Sequence, residues 1–282
     1  MRTWEQVVII GVGLIGGSIG LALKRAAAAG RIVGVGRRAS SLQRAKRRGA
    51  VDSTSTNVQR AVAGADLVVV CTPVERIAEY VMQVDEVCSP GTLITDAGST
   101  KQQLIEQVDA AGKLRHATFI GSHPLAGSEK KGPAHARADL FDDRMTVVTP
   151  TRRDPQEHVD RVVQFWESLG SRTCMMTPAA HDAALAQTSH LPHVVSAVLA
   201  ATTSADLLHL VAGGWRDTTR IAGGDADLWQ QILLSNRRHV LKSLDKFGKV
   251  LNSFRKAIEA DNAEQLENLL SSGKEVRDAL GS

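Results

Sequence analysis

Three glycines, Gly11, Gly13 and Gly16, stand in a G-x-G-x-x-G spacing directly after an apolar run, Val7–Ile10. In such a turn the first glycine allows a tight bend, the second lets backbone approach a pyrophosphate, and the third lets helix and strand pack closely. Leu14 and Ile15 fall between the last two glycines, where the free amides and positive end of an opening helix would meet the phosphates. About 20 residues further on, where a carboxylate usually takes the ribose hydroxyls of NAD, the chain has Gly36 followed by Arg37, Arg38 and Ser40. No carboxylate stands there to repel a 2′-phosphate, and guanidinium groups stand ready to clamp one, so the cofactor expected is NADP, with NAD possible. The same arginines also read as exposed charges. Thr72 and Pro73 follow the apolar run Leu67–Val70 at the strand end that lines a ligand crevice, although Pro73 is equally well explained as a helix start.

What must hold this turn is a sheet. From Val7 to about Thr177, short β-branched runs alternate with helical stretches, the pattern of parallel strands joined by crossover helices. The runs are Val7–Ile10, Arg31–Val35, Asp66–Val70, Thr92–Thr95, Thr118–Ile120 and Thr146–Val148, and the first helix is expected from about Gly17 to Ala29. After Pro178 the strand signal stops and the composition turns rich in Ala and Leu at helical spacing. The expected fold is therefore α/β, a Rossmann-type doubly wound parallel sheet over 1–177 followed by an all-helical domain over 178–282. Within the second part Val240, Leu244, Phe247, Leu251, Phe254 and Ile258 step by four and three along one stripe of a long helix. Asp261 with Glu264 reads as a capping box opening a last helix. An extended apolar stripe on a small helical domain predicts a homodimer through this half.

Bulk composition narrows the class. A chain of 282 residues with 43% hydrophobic and 23% charged residues has an ordinary globular make-up and is long enough for two domains. The net charge of +4 is spread along the chain, and only 4% of residues are aromatic, so no nucleic-acid partner is expected. Three cysteines, Cys71, Cys88 and Cys174, have no CxxC spacing, which suggests neither a disulfide framework nor a metal site. No apolar run is long enough for a bilayer and the start carries no leader pattern, so a soluble, cytoplasmic protein is expected.

Two more strand-end segments carry unusual residues, Thr95-Asp96-Ala97-Gly98-Ser99-Thr100-Lys101 and Gly121-Ser122-His123-Pro124-Leu125-Ala126-Gly127-Ser128-Glu129. Here the chain resembles the prephenate/arogenate dehydrogenase family of tyrosine biosynthesis. The resemblance continues through Ser189-His190-Leu191-Pro192-His193 and Arg216-Asp217-Thr218-Thr219-Arg220-Ile221-Ala222, and so covers nearly the whole chain. It implies that His123 is the catalytic histidine and Ser99 its hydrogen-bonding partner near the substrate hydroxyl. Glu129 resembles an acidic residue at the active-site entrance. His193 and Arg220 resemble substrate-side groups, Arg220 the carboxylate binder, and Ser128 and Ser189 from the same motifs are grouped with them. Trp229 matches a family tryptophan near the site, one that a second protomer can contribute. By its type alone it reads more simply as a helix-packing aromatic.

The implied reaction suits these residue types. A cyclohexadienol bearing a ring carboxylate becomes aromatic when C4 gives up hydride and CO₂ departs, so the protein has to position rather than force it. As the carbinol oxygen moves toward a carbonyl its proton needs an acceptor, which a neutral imidazole supplies. A dianionic substrate calls for a planar guanidinium fork. Pro133 and its neighbours supply no obvious carboxylate for an ammonium beyond Glu129, which favours prephenate over arogenate. His190, His181 and His135 read as packing or surface groups, with His181 able to support a site residue, and Lys101 reads equally as a surface charge or a cofactor contact. The rival readings are a β-hydroxyacid dehydrogenase or imine reductase-like oxidoreductase, and a nonenzymatic NADP-sensing protein.

Overall fold

The computed structural model describes residues 3–128 and 130–281. Its first part is a twisted sheet of eight strands in the order β3-β2-β1-β4-β5-β6-β7-β8. The strands are β1 (Trp4–Ile10), β2 (Ala29–Val35), β3 (Ser53–Ser55), β4 (Leu67–Val70), β5 (Thr92–Asp96), β6 (Ala117–Pro124), β7 (Met145–Thr149) and β8 (Arg172–Met175). Strands β1 to β6 are all parallel, which gives the doubly wound arrangement, while β7 runs antiparallel to β6 and β8 parallel to β7. The helices between them are α1 (Leu14–Arg25), α2 (Ala39–Arg47), α3 (Val58–Val62), α4 (Ile77–Asp85), α5 (Gln102–Ala111) and α6 (Gln156–Ser168).

The central runs of β1 and β4 are apolar because both faces of the sheet are covered there. Val7 and Ile9 of β1 join Ile19, Leu23, Phe165 and Trp166 on one face. Val8 and Ile10 join Val62, Ile77, Val81, Val84 and Leu104 on the other. Period-two alternation is thus present but invisible in the sequence, since both sets of positions are apolar.

Several local expectations are corrected. Helix α1 starts at Leu14 and ends at Arg25, and Ala29 already belongs to β2. Strands β3 and β8 carry no apolar run, reading Ser-Thr-Ser and Arg-Thr-Cys-Met, and sit at the two sheet edges where one-sided pairing suffices. The antiparallel turn of β7 was also not foreseen.

The second part is helical: α7 (Pro178–Leu185), α8 (Leu191–Thr202), α9 (Gly213–Thr219), α10 (Ala226–Ser235), α11 (Arg237–Glu259) and α12 (Ala263–Asp278). Thr177 caps α7 by accepting the Ala180 amide, and Pro178 occupies its first turn, where no amide is missed. A π turn, Ala186–His190, joins α7 to α8. Pro192 has no amide to give back to residue 188, and the helix widens by a residue just before it. Asp261 does not cap α12. It adopts φ +50 in the turn between the last two helices, and Asn262 instead accepts the Gln265 amide. Along α11, Val240 is buried, but Phe247, Leu251 and Ile258 are exposed, Ile258 by 65%. The exposed part of this stripe is left uncovered among the described residues.

Candidate active site

The glycine turn lies at the C-terminal edge of the sheet, between β1 and β4, where the strand order reverses. In doubly wound sheets that reversal opens a ligand crevice. Gly11 has φ +97, and a Cβ there would lie 2.6 Å from the Cys71 carbonyl oxygen. At Gly16 a Cβ would lie 2.3 Å from the Gly11 oxygen and 2.9 Å from Ile9 Cγ2, so this glycine serves close packing of α1 on β1. At Gly13 a Cβ would meet nothing within 4 Å. The space above Gly13 is therefore open, and the helix behind it carries no side-chain cap and no acidic residue in its first turn. Leu14 and Ile15 present their amides there without intrahelical partners. An open, positively polarised, uncapped helix end fits a dinucleotide pyrophosphate.

Arg37 and Arg38 follow the end of β2, Arg38 at the start of α2 and Ser40 in its first turn. All three are exposed, and neither guanidinium has an ion-pair or hydrogen-bond partner among the described residues. Thr72 hydrogen-bonds the Pro73 carbonyl at 3.4 Å, and Pro73 opens a single 3-10 turn, Val74–Arg76, at the end of β4. A cleft of about 760 Å³ adjoins the turn at Leu14 and is bordered by Arg48, Ser128, Arg137 and Arg144, but it does not include His123.

On the same sheet edge, the ends of β5 and β6 hold a dense polar cluster. Asp96 is fully buried, takes the amides of Gly98 (2.8 Å) and Ser122 (2.9 Å), and is ion-paired with the Lys101 ammonium. Lys101 is itself fully buried, which makes it neither a surface charge nor a cofactor contact. Ser99 sits in the bend between them, partly buried, with no hydrogen bond from its side chain among the described residues.

His123, next to last in β6, uses Nδ1 to meet His181 Nε2 at 2.9 Å; in this structure its hydrogen-bonding partner is His181, not Ser99. His181 Nδ1 lies 2.7 Å from Asp182. The Asp182 oxygens also accept the Lys101 amide (2.8 Å) and the Gln102 amide (2.9 Å), where α5 begins. Asn236 donates through Nδ2 to the Asp182 carbonyl (2.7 Å) and lies 3.1 Å from His190 Nδ1. His190 meets the edge of Trp229, and Trp229 stacks on His193 with centroids 3.6 Å apart and planes 13° from parallel. A continuous chain of side chains thus runs from the sheet edge through α7, the π turn and α8 to α10. Trp229 stacks on His193 of its own chain.

Burial disfavours the charged form of three of these imidazoles, His123, His190 and His193. Burial, then the facing His181, Lys101 and His190, hold His123 well below its ordinary value of 6.5. Burial lowers His190 to about 4 and pushes His193 down as well. Burial works to raise Asp182, but the hydrogen bonds from His181 and from the Gln102 and Lys101 amides outweigh it and leave the carboxyl below the usual range. His193 is 7% exposed, and its Nδ1 is a buried atom with no hydrogen-bond partner among the described residues.

The other expected residues are placed less closely. Ser189 is partly buried inside the π turn, and Ser128 is exposed on the loop after β6. Glu129 lies outside the described residues. Lys131, on the same loop, pairs with Asp225, the residue capping α10. Arg220 opens a 3-10 segment, Arg220–Gly223, with its guanidinium exposed and unpaired among the described residues. Gly224 follows and leaves room for the stack, because a Cβ there would sit 2.7 Å from Trp229 Nε1. The sequence reading missed Asp182, Asn236 and the Asp96–Lys101 pair, and gave His181 only a supporting part. The adjacent imidazole and carboxylate of His181-Asp182, just inside a helix start, was the available signal.

The chain is similar to known proteins over both parts. A family model described as "Prephenate dehydrogenase, nucleotide-binding domain" matches residues 19–175, and one described as "Prephenate dehydrogenase, dimerization domain" matches residues 177–272. A prephenate dehydrogenase of Bacillus subtilis is 33% identical over 98% of this chain and 76% of its own length. A cyclohexadienyl dehydrogenase of Zymomonas mobilis is 31% identical over 99% of this chain and 97% of its own. The solved prephenate dehydrogenase of A. aeolicus, in complex with hydroxyphenyl propionate and NAD+, superposes with a TM-score of 0.89 at 30% identity, covering 98% of each chain.

Proposed function

This chain belongs to the prephenate dehydrogenase family, and from that premise we propose a residue-level account of its chemistry. The protein is an oxidoreductase of tyrosine biosynthesis that oxidatively decarboxylates a cyclohexadienyl substrate with a nicotinamide cofactor. The oxidoreductase of β-hydroxyacid type and the nonenzymatic sensor are not favoured, since the family matches run through both parts of the chain. We take prephenate as the preferred substrate over arogenate, NADP as the preferred cofactor, 1–177 and 178–282 as the two domains, and the cytoplasm as the compartment.

Gly11, Gly13 and Gly16 with the Leu14 and Ile15 amides hold the pyrophosphate, Arg37, Arg38 and Ser40 take the 2′-phosphate, and Thr72 and Pro73 border the nicotinamide side. When bound, the nicotinamide supplies the hydride acceptor. His123 receives the hydrogen bond of the carbinol hydroxyl and draws its proton as the oxygen gains carbonyl character. The proton returns to that oxygen when the electrons of the breaking bond to the ring carboxylate complete the aromatic ring, so no proton is lost at this atom. Ser99 directs the hydroxyl. Arg220 takes a substrate carboxylate, and His193, held flat by Trp229, offers its unpartnered Nδ1 to the same molecule. Ser128 and Ser189 line the approach.

One observation carries this reading. His123 stands at the cofactor edge of the sheet, uncharged, with Nδ1 already engaged and Nε2 left for a ligand. Absorbance at the reduced-nicotinamide band with prephenate or with arogenate tests it: turnover is expected, faster with prephenate, and cofactor binding without turnover of either substrate overturns it. The exposed stripe of Phe247, Leu251 and Ile258 is assigned to a homodimer, for which light scattering should give twice the chain mass.

A further inference from the structure

His181 and Asp182 lie outside the motifs that pointed to the site, yet both side chains are buried, at 0% and 1% exposure, directly behind His123. An ionised carboxylate has no hydrogen to give. Asp182 already accepts two amides at the start of α5, where the positive helix end favours the anion. The proton in its 2.7 Å contact with His181 Nδ1 therefore belongs to His181. A neutral imidazole protonated on Nδ1 keeps its lone pair on Nε2. That atom faces His123 Nδ1 at 2.9 Å, so the proton in this second contact belongs to His123.

We propose that His181 and Asp182 are positioning residues that lock His123 in its Nδ1–H tautomer and so present Nε2 as the atom that accepts the substrate hydroxyl's proton. The proposal rests on the reading of His123 as acceptor. It adds a place for the charge. When Nε2 gains a proton, the Nδ1 proton moves to His181 Nε2, and the positive charge comes to rest beside the Asp182 carboxylate. Both transfers reverse as the phenol forms. The other charged or titratable groups facing His123 are Lys101 and His190, which disfavour a cation there, and Lys101 is itself neutralised by Asp96. Asp182 is thus the group placed to take up the charge.

Nitrogen-15 NMR of the wild-type protein with NADP bound reads the tautomer without any substitution. His123 should show a protonated Nδ1 and a bare Nε2, and the opposite pattern overturns the proposal. Two variants give the kinetic test. His181→Gln keeps an oxygen that can accept from His123 Nδ1, and His181→Leu does not. The leucine variant should lose about 10²-fold in kcat and the glutamine variant less than about tenfold, with cofactor KM unchanged in both. Equal losses in the two, or no loss with leucine, overturn it. His123→Asn separates the two levels. If it keeps wild-type turnover, the reading beneath has failed. If it is inactive while His181→Leu is fully active, only the positioning role has failed.

Discussion

The two ends of the crevice are built by different means. At the glycine turn the binding groups are backbone amides, and the side chains matter chiefly by their absence. At the imidazole cluster the groups are side chains brought from β6, α7, the π turn, α8, α10 and the start of α11, each holding the next through one hydrogen bond or one ring contact. A backbone site is specified by local conformation and survives wherever a short segment folds the same way. A side-chain cluster of this kind exists only when two domains have packed. The first should therefore respond to an added methyl group, the second to a change of one atom's hydrogen-bonding character.

His123→Asn is the sharpest probe of that contrast. It keeps a polar side chain but removes the titratable nitrogen, and kcat should fall about 10³-fold with KM little changed, because proton acceptance matters chiefly in the transition state. A modest drop would remove His123 from its role and leave the cluster a packing device.

Gly16→Ala and Gly13→Ala come next and should part company. The first forces a methyl against the Gly11 carbonyl and should lower thermal stability together with cofactor binding. The second meets no protein atom, so its melting temperature should match wild type while the cofactor KM rises about tenfold, the mark of a methyl intruding on a ligand rather than on the fold. Equal melting temperatures in both would show that the turn is not as tightly packed as its geometry indicates.

The cluster should also announce itself in stability against pH. His190 is held near 4 in the fold and returns to 6.5 when unfolded. Below 6.5 the unfolded chain binds a proton that the folded chain refuses, so this contribution is complete above 6.5 and drains away as pH falls toward 4, by about 3 kcal/mol in all. His123 acts in the same direction. Urea midpoints measured near pH 8 and near pH 5 should differ accordingly, and a His190→Gln variant should show a flatter dependence. The smallest effect belongs to the exposed rim of the turn: Arg37→Ala should lower kcat/KM for NADP about tenfold and leave the NAD value unchanged. A similar fall for both cofactors would assign Arg37 to the shared part of the dinucleotide instead.

Much of the fold could be read from local pattern. Apolar strands, the glycine spacing and the loss of strand signal after Pro178 are short-range features, and the doubly wound sheet and helical second part follow from them. Edge strands β3 and β8 escaped because a strand paired on one side and partly wet needs no apolar run. Lys101 was misread because the sequence gives its charge but not the buried carboxylate that neutralises it.

The sequence by itself determined the dinucleotide turn, the alternation of central strands and helices followed by a helical second part, and through its motifs the identity of His123 and Arg220 as residues to watch. Only tertiary structure decided that Lys101 would be buried on Asp96, that Trp229 would lie flat on His193, and that the hydrogen-bond partner of His123 would be a histidine from the start of the helical domain. The reason is distance along the chain. A turn is fixed by the dihedral preferences of neighbouring residues, whereas the direction of a proton between two imidazoles depends on a carboxylate and a helix start that meet only after both domains have folded.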